Sequence, residues 1–152
     1  MPELPEVETT IRYLTSKVKG KKIISISKSQ KKLRKNLNFK DLESISQRKI
    51  ISVKRFAKYI VIRLDNDNYL IVHLGMSGRL KFYLNENYKK EKHDHVVLQF
   101  DKFKIVFNDP RRFGMFFRLE DINEVEIFFN NYGTDLLVLS LIHISEPTRH
   151  LF

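Results

Sequence analysis

The chain opens MPELPEVETT, which puts a proline behind the initiator methionine and glutamates at Glu3, Glu6 and Glu8. Methionine removal is favoured by a small second residue, and it leaves Pro2 with a free secondary amine. An α-amino group titrates near ~8, against ~10.4 for a lysine, so more of it is neutral and nucleophilic near pH 7. Such an amine can attack an aldehyde-like carbon and form an iminium ion. A carboxylate beside it, Glu3, can move the proton that this reaction needs. The same dipeptide also reads as an ordinary helix entry.

Four interior stretches carry further candidate chemistry. KRFAKY, residues 54–59, interleaves Lys54, Arg55 and Lys58 with Phe56 and Tyr59, a mixture suited to phosphates and bases and equally to a solvated strand edge. HLGMSGR, 73–79, places Met76 between Gly75 and Gly78. An unbranched apolar side chain at a loop tip either inserts into a partner, as wedges that distort duplex DNA do, or folds back into the core. EKHDHV, 91–96, sets two histidines around Asp94. His-x-His can ligate a metal, but no third ligand is evident, and a hydrogen-bonded structural role is the expectation. NDPRRFG, 108–114, starts a turn at Asp109-Pro110 and ends it at Gly114. It presents Arg111, Arg112 and Phe113 together, where arginine can read a base edge or phosphate and phenylalanine can wedge between bases. The alternative has Asp109 holding an arginine and Phe113 in the core.

These residues need elements to position them. Val7, Ile11, Leu14 and Val18 form one apolar stripe, so 5–18 reads as a helix. Pro5 suits its first turn, Glu6 and Glu8 suit the positive end of its dipole, and Gly20 suits its stop. KIISISKS at 22–29 alternates like a strand, and QKKLRKN at 30–36 reads as an exposed loop. From residue 49 short strands follow, with DNDN at 65–68 as a polar turn. HVVLQF and FKIVFND form a hairpin across Asp101-Lys102. EDINEVEIFFNNYG at 120–133 reads as a closing helix. Many strands, few helices and no βαβ rhythm predict an antiparallel sandwich or barrel.

The 152 residues suit one domain, and 42% hydrophobic composition supplies a core. The net charge of +10 favours a polyanionic partner, although solubility alone also accounts for basic composition. Residues 9–40 hold eleven basic residues and no acid. The absence of cysteine excludes disulfides and any cysteine-ligated zinc within the chain. The N-terminus lacks a signal-peptide pattern, and no stretch reaches the ~18 apolar residues of a membrane span, so a cytoplasmic protein is expected.

Taken in order, MPELPEVET, KRFAKY, HLGMSG, KHDHV and DPRRFG resemble the formamidopyrimidine-DNA glycosylase family, also called 8-oxoguanine DNA glycosylases. The resemblance runs from Met1 to about Leu137, where YGTDLL is similar to the family's LGPDPL motif. Leu4 and Val7-Glu8-Thr9 favour this branch over the endonuclease VIII branch, which begins MPEGPE.

The resemblance implies a mainly β fold: an antiparallel two-sheet β-sandwich preceded by the N-terminal helix. It implies a base-excision-repair glycosylase and abasic-site lyase that removes oxidised purines, with Pro2 forming a Schiff base at C1′ and Glu3 shuttling protons. Glu6 would help order the site. Lys58 and His73 would hold phosphate near the lesion. Met76, Arg111 and Phe113 would fill the gap left by a flipped base. The expected partner is double-stranded DNA carrying an oxidised purine or abasic site, bound by a monomer in the bacterial cytoplasm. No cofactor is expected, because the family's structural zinc belongs to a four-cysteine finger for which this chain has no cysteines. Residues 1–137 would be the catalytic N-terminal domain. Residues 138–152 depart from the family pattern and read as a foreign or artefactual tail, and the helix–two-turn–helix and zinc-finger domains are expected to be absent. Weak, strongly salt-dependent DNA binding is expected of such a half. A non-catalytic nucleic-acid-binding β-domain is the competing reading.

Overall fold

A computed structural model describes residues 4–130. The elements are α1 (Leu4–Val18), β1 (Lys22–Ile23), β2 (Ser25–Lys28), α2 (Phe39–Ile45), β3 (Arg48–Phe56), β4 (Tyr59–Leu64), β5 (Tyr69–His73), β6 (Arg79–Leu84), β7 (Asp94–Gln99), β8 (Phe103–Asn108), β9 (Met115–Leu119) and α3 (Ile122–Asn130). A 3₁₀ turn at Asn85–Asn87 follows β6. The strands form a five-stranded sheet ordered β1-β3-β4-β5-β9 and a four-stranded sheet ordered β2-β7-β8-β6. All neighbours within each sheet are antiparallel. This is the expected two-sheet sandwich with an N-terminal helix.

The sequence patterns explain the layers. On β4 and β5, Ile60, Ile62, Leu64, Leu70 and Val72 face the core between the sheets, where they meet Val96, Leu98, Ile105 and Phe107. The alternate residues Tyr59, Val61, Tyr69 and Ile71 face outward, yet they too are buried, against Val125 and Phe129 of α3. Strands covered on both faces read as continuous apolar runs, as YIVIRL and YLIVH do. Phe129 closes on Phe56 at 4.2 Å and on Tyr59 at 5.3 Å between ring centroids. Asp121 starts α3 by accepting the Glu124 N–H at 3.0 Å.

Helix α1 lays its predicted stripe, Val7, Ile11, Leu14 and Val18, into the inter-sheet core. It packs beside β3 and β4, while Tyr13 meets Phe82 of β6 edge-on at 6.3 Å. The helix therefore closes the open side of the sandwich and touches both sheets. Gly20, at φ +78°, ends the run as its type predicts.

Three local readings need correction. KIISISKS is two strands in different sheets, not one. The Ile23 carbonyl accepts from Gln47 N–H at 2.7 Å, whereas Ile24 N–H donates to Gln99 of the other sheet at 2.8 Å. Alternation of side chains is blind to such a change of partner. QKKLRKN is only partly an exposed loop: Leu33 is buried, Arg34 N–H donates to Gly114 C=O, and Phe116 N–H donates to Lys35 C=O. The third is α2, which begins where the acid-poor stretch ends and for which the apolar spacing predicts no helix. Its signal is Asn38-x-x-Asp41, a capping box in which each side chain accepts the other residue's N–H, at 2.8 and 2.9 Å.

Asp41 also accepts from Arg118 Nε at 2.8 Å, and Arg118 Nη1 reaches Asn68 Oδ1 at 2.8 Å. This largely buried pair joins α2 to β9. Asp41→Ala should therefore cost roughly 2–4 kcal/mol, because it removes a cap and leaves a largely buried guanidinium without its carboxylate. Asn38→Ala removes the cap alone and should cost about 1 kcal/mol. Urea unfolding of the two variants checks the difference; equal losses would show that the ion pair contributes nothing.

Candidate active site

Strand register brings the candidate residues to one end of the sandwich. Tyr59 pairs with His73, and His73 pairs with Met115. The β3–β4 turn at Ala57-Lys58, the β5–β6 loop at 74–78 and the β8–β9 loop at 109–114 thus emerge side by side. Ala57 takes φ +51°, the sign that a two-residue II′ hairpin turn needs at its first central position. The β5–β6 and β8–β9 loops each cross from one sheet to the other.

Asp109 ties those crossings together. It is fully buried. Its Oδ1 accepts the Ser77 hydroxyl at 2.6 Å, and its Oδ2 accepts the Gly114 N–H at 2.8 Å. Ser77 Oγ in turn accepts the Arg111 N–H at 3.0 Å. The loops approach so closely that a Cβ on Gly75, at φ +61°, would lie 2.6 Å from Gly114 N and 2.7 Å from Phe113 C. A Cβ on Gly114 would lie 2.7 Å from Asp109 Oδ2. Both glycines are required by backbone approach.

Because Asp109 is spent on this clamp, it holds no arginine side chain. Arg111 and Arg112 are exposed, and Arg112 sits at φ +57°. Met76 is 43% exposed and Phe113 48%. Met76 and Phe113 thus stand exposed at loop tips and are not folded into the core. The Arg111 guanidinium lies 5.4 Å from the Phe113 ring centroid. A rigid pair of loops therefore presents two apolar side chains and a cation.

The first turn of α1 faces the same place. Glu6 and Thr10 line one side of a cleft of about 690 Å³, and Leu74, Met76, Ser77 and Gly78 line the other. Glu8 pairs with Arg55 Nε, and Arg55 Nη1 donates to Ala57 C=O at 2.9 Å. That link sets the Lys58 turn against the helix. Lys58 itself is half-buried. Pro2 and Glu3 lie outside the described residues, as do YGTDLL and residues 138–152.

His73 is 7% exposed. Its Nδ1 accepts the Gly75 N–H at 3.0 Å, so the neutral ring carries its proton on Nε2. Burial first, then the positive charges of Arg34 and Lys58, hold the imidazole below its usual pKa. Within the HDH stretch, Asp94 and His95 are held by hydrogen bonds. Asp94 accepts from Tyr88 Oη, Glu91 N–H and Asn108 Nδ2, each at 2.8 Å. His95 shares hydrogen bonds with Asp109 C=O at 2.8 Å and Ser29 Oγ at 3.2 Å. Burial first, then the Asp94 hydrogen bond, raises the Tyr88 pKa. The family's zinc does not fit the residues present: the chain has no cysteine, and among the described residues no three His, Asp or Glu side chains converge.

Sequence reasoning missed Ser77, the Glu8–Arg55 link and Arg34. Ser77 lay inside a quoted motif, but its partner is 32 residues away. Nothing local marks that pairing.

Ser77→Ala should cost about 1–3 kcal/mol, since it strands a buried carboxylate oxygen and loosens the Arg111 turn. Gly75→Ala should cost more, roughly 2–4 kcal/mol, because it meets backbone at a left-handed φ. Denaturant melts rank the two; a neutral Gly75→Ala would contradict the clamp. A depressed His73 pKa means that the unfolded chain binds the proton more readily. His73's contribution should be complete above pH ~6.5 and decline as pH falls through the folded-state pKa. His73→Gln should flatten the pH dependence of Tm in that window, and an unchanged slope would refute the assignment.

Residues 1–116 match the family model for the formamidopyrimidine-DNA glycosylase N-terminal domain. The chain is 42% identical over 139 residues to the formamidopyrimidine-DNA glycosylase of Wolbachia pipientis subsp. Culex pipiens, covering 90% of this chain and 50% of that protein. It is 43% identical over 157 residues to that of Rickettsia africae, covering 99% and 57%. The fold superposes on the Lactococcus lactis enzyme bound non-covalently to DNA containing an abasic site, with TM-score 0.77, 31% identity, and coverage of 86% of this chain and 49% of that one. The complex of the same enzyme with DNA containing a formamidopyrimidine lesion gives TM-score 0.77, 30% identity, and coverage of 85% and 48%. The chain thus spans about half the length of the relatives it matches. With one family model matched along most of its length and the family's fold and motifs in register, this chain belongs to the formamidopyrimidine-DNA glycosylase family.

Proposed function

We propose that this chain is the catalytic N-terminal part of a DNA glycosylase and abasic-site lyase acting on oxidised purines, formamidopyrimidine and 8-oxoguanine, in duplex DNA. The observation that carries this reading is the clamped loop pair. It exposes Met76, Phe113 and Arg111 beside the first turn of α1, the turn that leads to Pro2. Side chains of that kind fill the gap left when a base is flipped out of the stack. Arg111 faces the orphaned partner base, and the two apolar side chains occupy the vacated space.

With methionine removed, the Pro2 nitrogen attacks C1′ of the damaged nucleotide as the glycosidic bond to the base breaks. Glu3 moves protons at the sugar. Ring opening leaves an iminium between Pro2 and C1′. Loss of a C2′ proton then expels the 3′ phosphate, a second elimination expels the 5′ phosphate, and water releases the sugar fragment from Pro2. Lys58 and the Nε2–H of His73 hold phosphate at the lesion, and Glu6 orders the site from the cleft wall. Support comes from the strand register that brings the Lys58 turn and His73 to one end of the sandwich and from the DNA complexes of the Lactococcus lactis relative.

Reductive trapping tests the chemistry. The full chain is mixed with a duplex carrying an abasic site, borohydride is added, and adducts are located by mass spectrometry. The expected product is a stable secondary-amine-to-sugar linkage on Pro2, absent when methionine is retained. No adduct, beside a full-length relative that traps, would leave a nucleic-acid-binding domain without catalysis.

A further inference from the structure

A cationic surface lies beside the clamped loops, in a cleft of about 650 Å³ lined by Lys28, Lys31, Lys90, Lys92 and Asp94. It is assembled from two distant segments. Lys31 Nζ donates to Lys92 C=O at 3.2 Å, which fixes the end of β2 against the turn before β7. Lys32 and Lys89 flank it in sequence and are exposed.

The carboxylates nearby do not neutralise this charge. Asp94 is buried and accepts its three hydrogen bonds from Tyr88, Glu91 N–H and Asn108. Glu91 turns toward Lys81, 3.7 Å away, and Tyr83. No carboxylate among the described residues pairs with Lys28, Lys31, Lys90 or Lys92. Like charges gathered without counter-ions raise one another's energy, and an external polyanion relieves that cost.

Position gives the surface its partner. Asp109 N–H donates to His93 C=O at 3.0 Å, so the lysine-bearing turn is bonded directly to the loop that carries Arg111. DNA held at Met76, Arg111 and Phe113 would extend past that turn. We infer that Lys31, Lys90 and Lys92 form a flanking phosphate-contact surface that engages the DNA backbone away from the lesion. The inference rests on the proposed DNA-directed function, and it adds a contact that carries no sequence or lesion information.

The test is the salt dependence of binding to an undamaged duplex, measured by fluorescence anisotropy with the full chain. Each phosphate contact contributes about 0.9 to the slope of log K against log salt. The variant Lys31→Gln, Lys90→Gln, Lys92→Gln should have a slope shallower by about 2–3 than the parent. The matching triple arginine variant should keep the parent slope. All three side chains are exposed, and thermal unfolding checks that both variants fold. A parental slope in the glutamine variant overturns the inference, as does an equal loss in both variants, which would be a structural effect rather than a charge effect. Borohydride trapping on an abasic duplex at saturating concentration separates the two readings. Failure of the parent to trap counts against the Pro2 chemistry while leaving the slope comparison intact.

Discussion

The buried carboxylate of Asp109 is the constraint on which the candidate site depends. Both oxygens are committed, one to a hydroxyl from the β5–β6 loop and one to a backbone N–H of its own loop. Such charge-assisted bonds are short and strong, and they become costly to break once water is excluded. The two loops are the places where the chain passes between sheets at this end. Fixing them to each other fixes the edge of the sandwich as well as the side chains it displays. The surface is rigid because its support is buried, while the side chains of Met76, Phe113 and Arg111 stay exposed, Arg111 beside the Phe113 ring.

The remaining scaffold places the terminal helix next to that edge. The stripe of α1 is buried between the sheets, so the helix cannot slide without exposing Ile11 and Leu14. The Glu8–Arg55 pair is exposed and worth little as stabilisation. Its use is geometric, since Arg55 also holds the carbonyl of Ala57 beside Lys58. On the far face, α3 covers the outer side of β4 and β5 and buries the aromatic cluster around Phe129. Electrostatics then overlay the shape: burial, with Arg34 and Lys58 adding to it, holds the His73 pKa below its usual value, and lysines with no carboxylate partner among the described residues spread positive charge beyond the loops.

The outline of this fold was legible because it is written in local periodicity. The α1 stripe, the Gly20 stop, the DNDN turn and the β7–β8 hairpin all stand in contiguous residues. The hairpin formed although neither Asp101 nor Lys102 takes a positive φ, because cross-strand pairing from Asp94–Gln99 to Phe103–Asn108 outweighs the turn's own preference. What periodicity missed were changes of partner. Ile23 and Ile24 join different sheets within one alternating run, and Leu33 is buried in a stretch whose charge suggested exposure. The capping box of α2 was visible in composition but short enough to be overshadowed by the surrounding lysines.

By itself the sequence determined which residue types were available and the order of the motifs: a proline followed by an acid at the second and third positions, glycines flanking a methionine, and two arginines and a phenylalanine after Asp-Pro. These are local chemical facts, fixed by covalent order and by the few conformations each residue allows. Tertiary structure decided which of them meet. That Ser77 and Asp109 share a hydrogen bond, that Gly75 must yield space to Gly114, and that Lys31 and Lys92 border one cleft are consequences of strand register and sheet crossing. Contacts across 32 to 61 residues are set by the burial of the whole apolar core, and no short window of sequence contains that information.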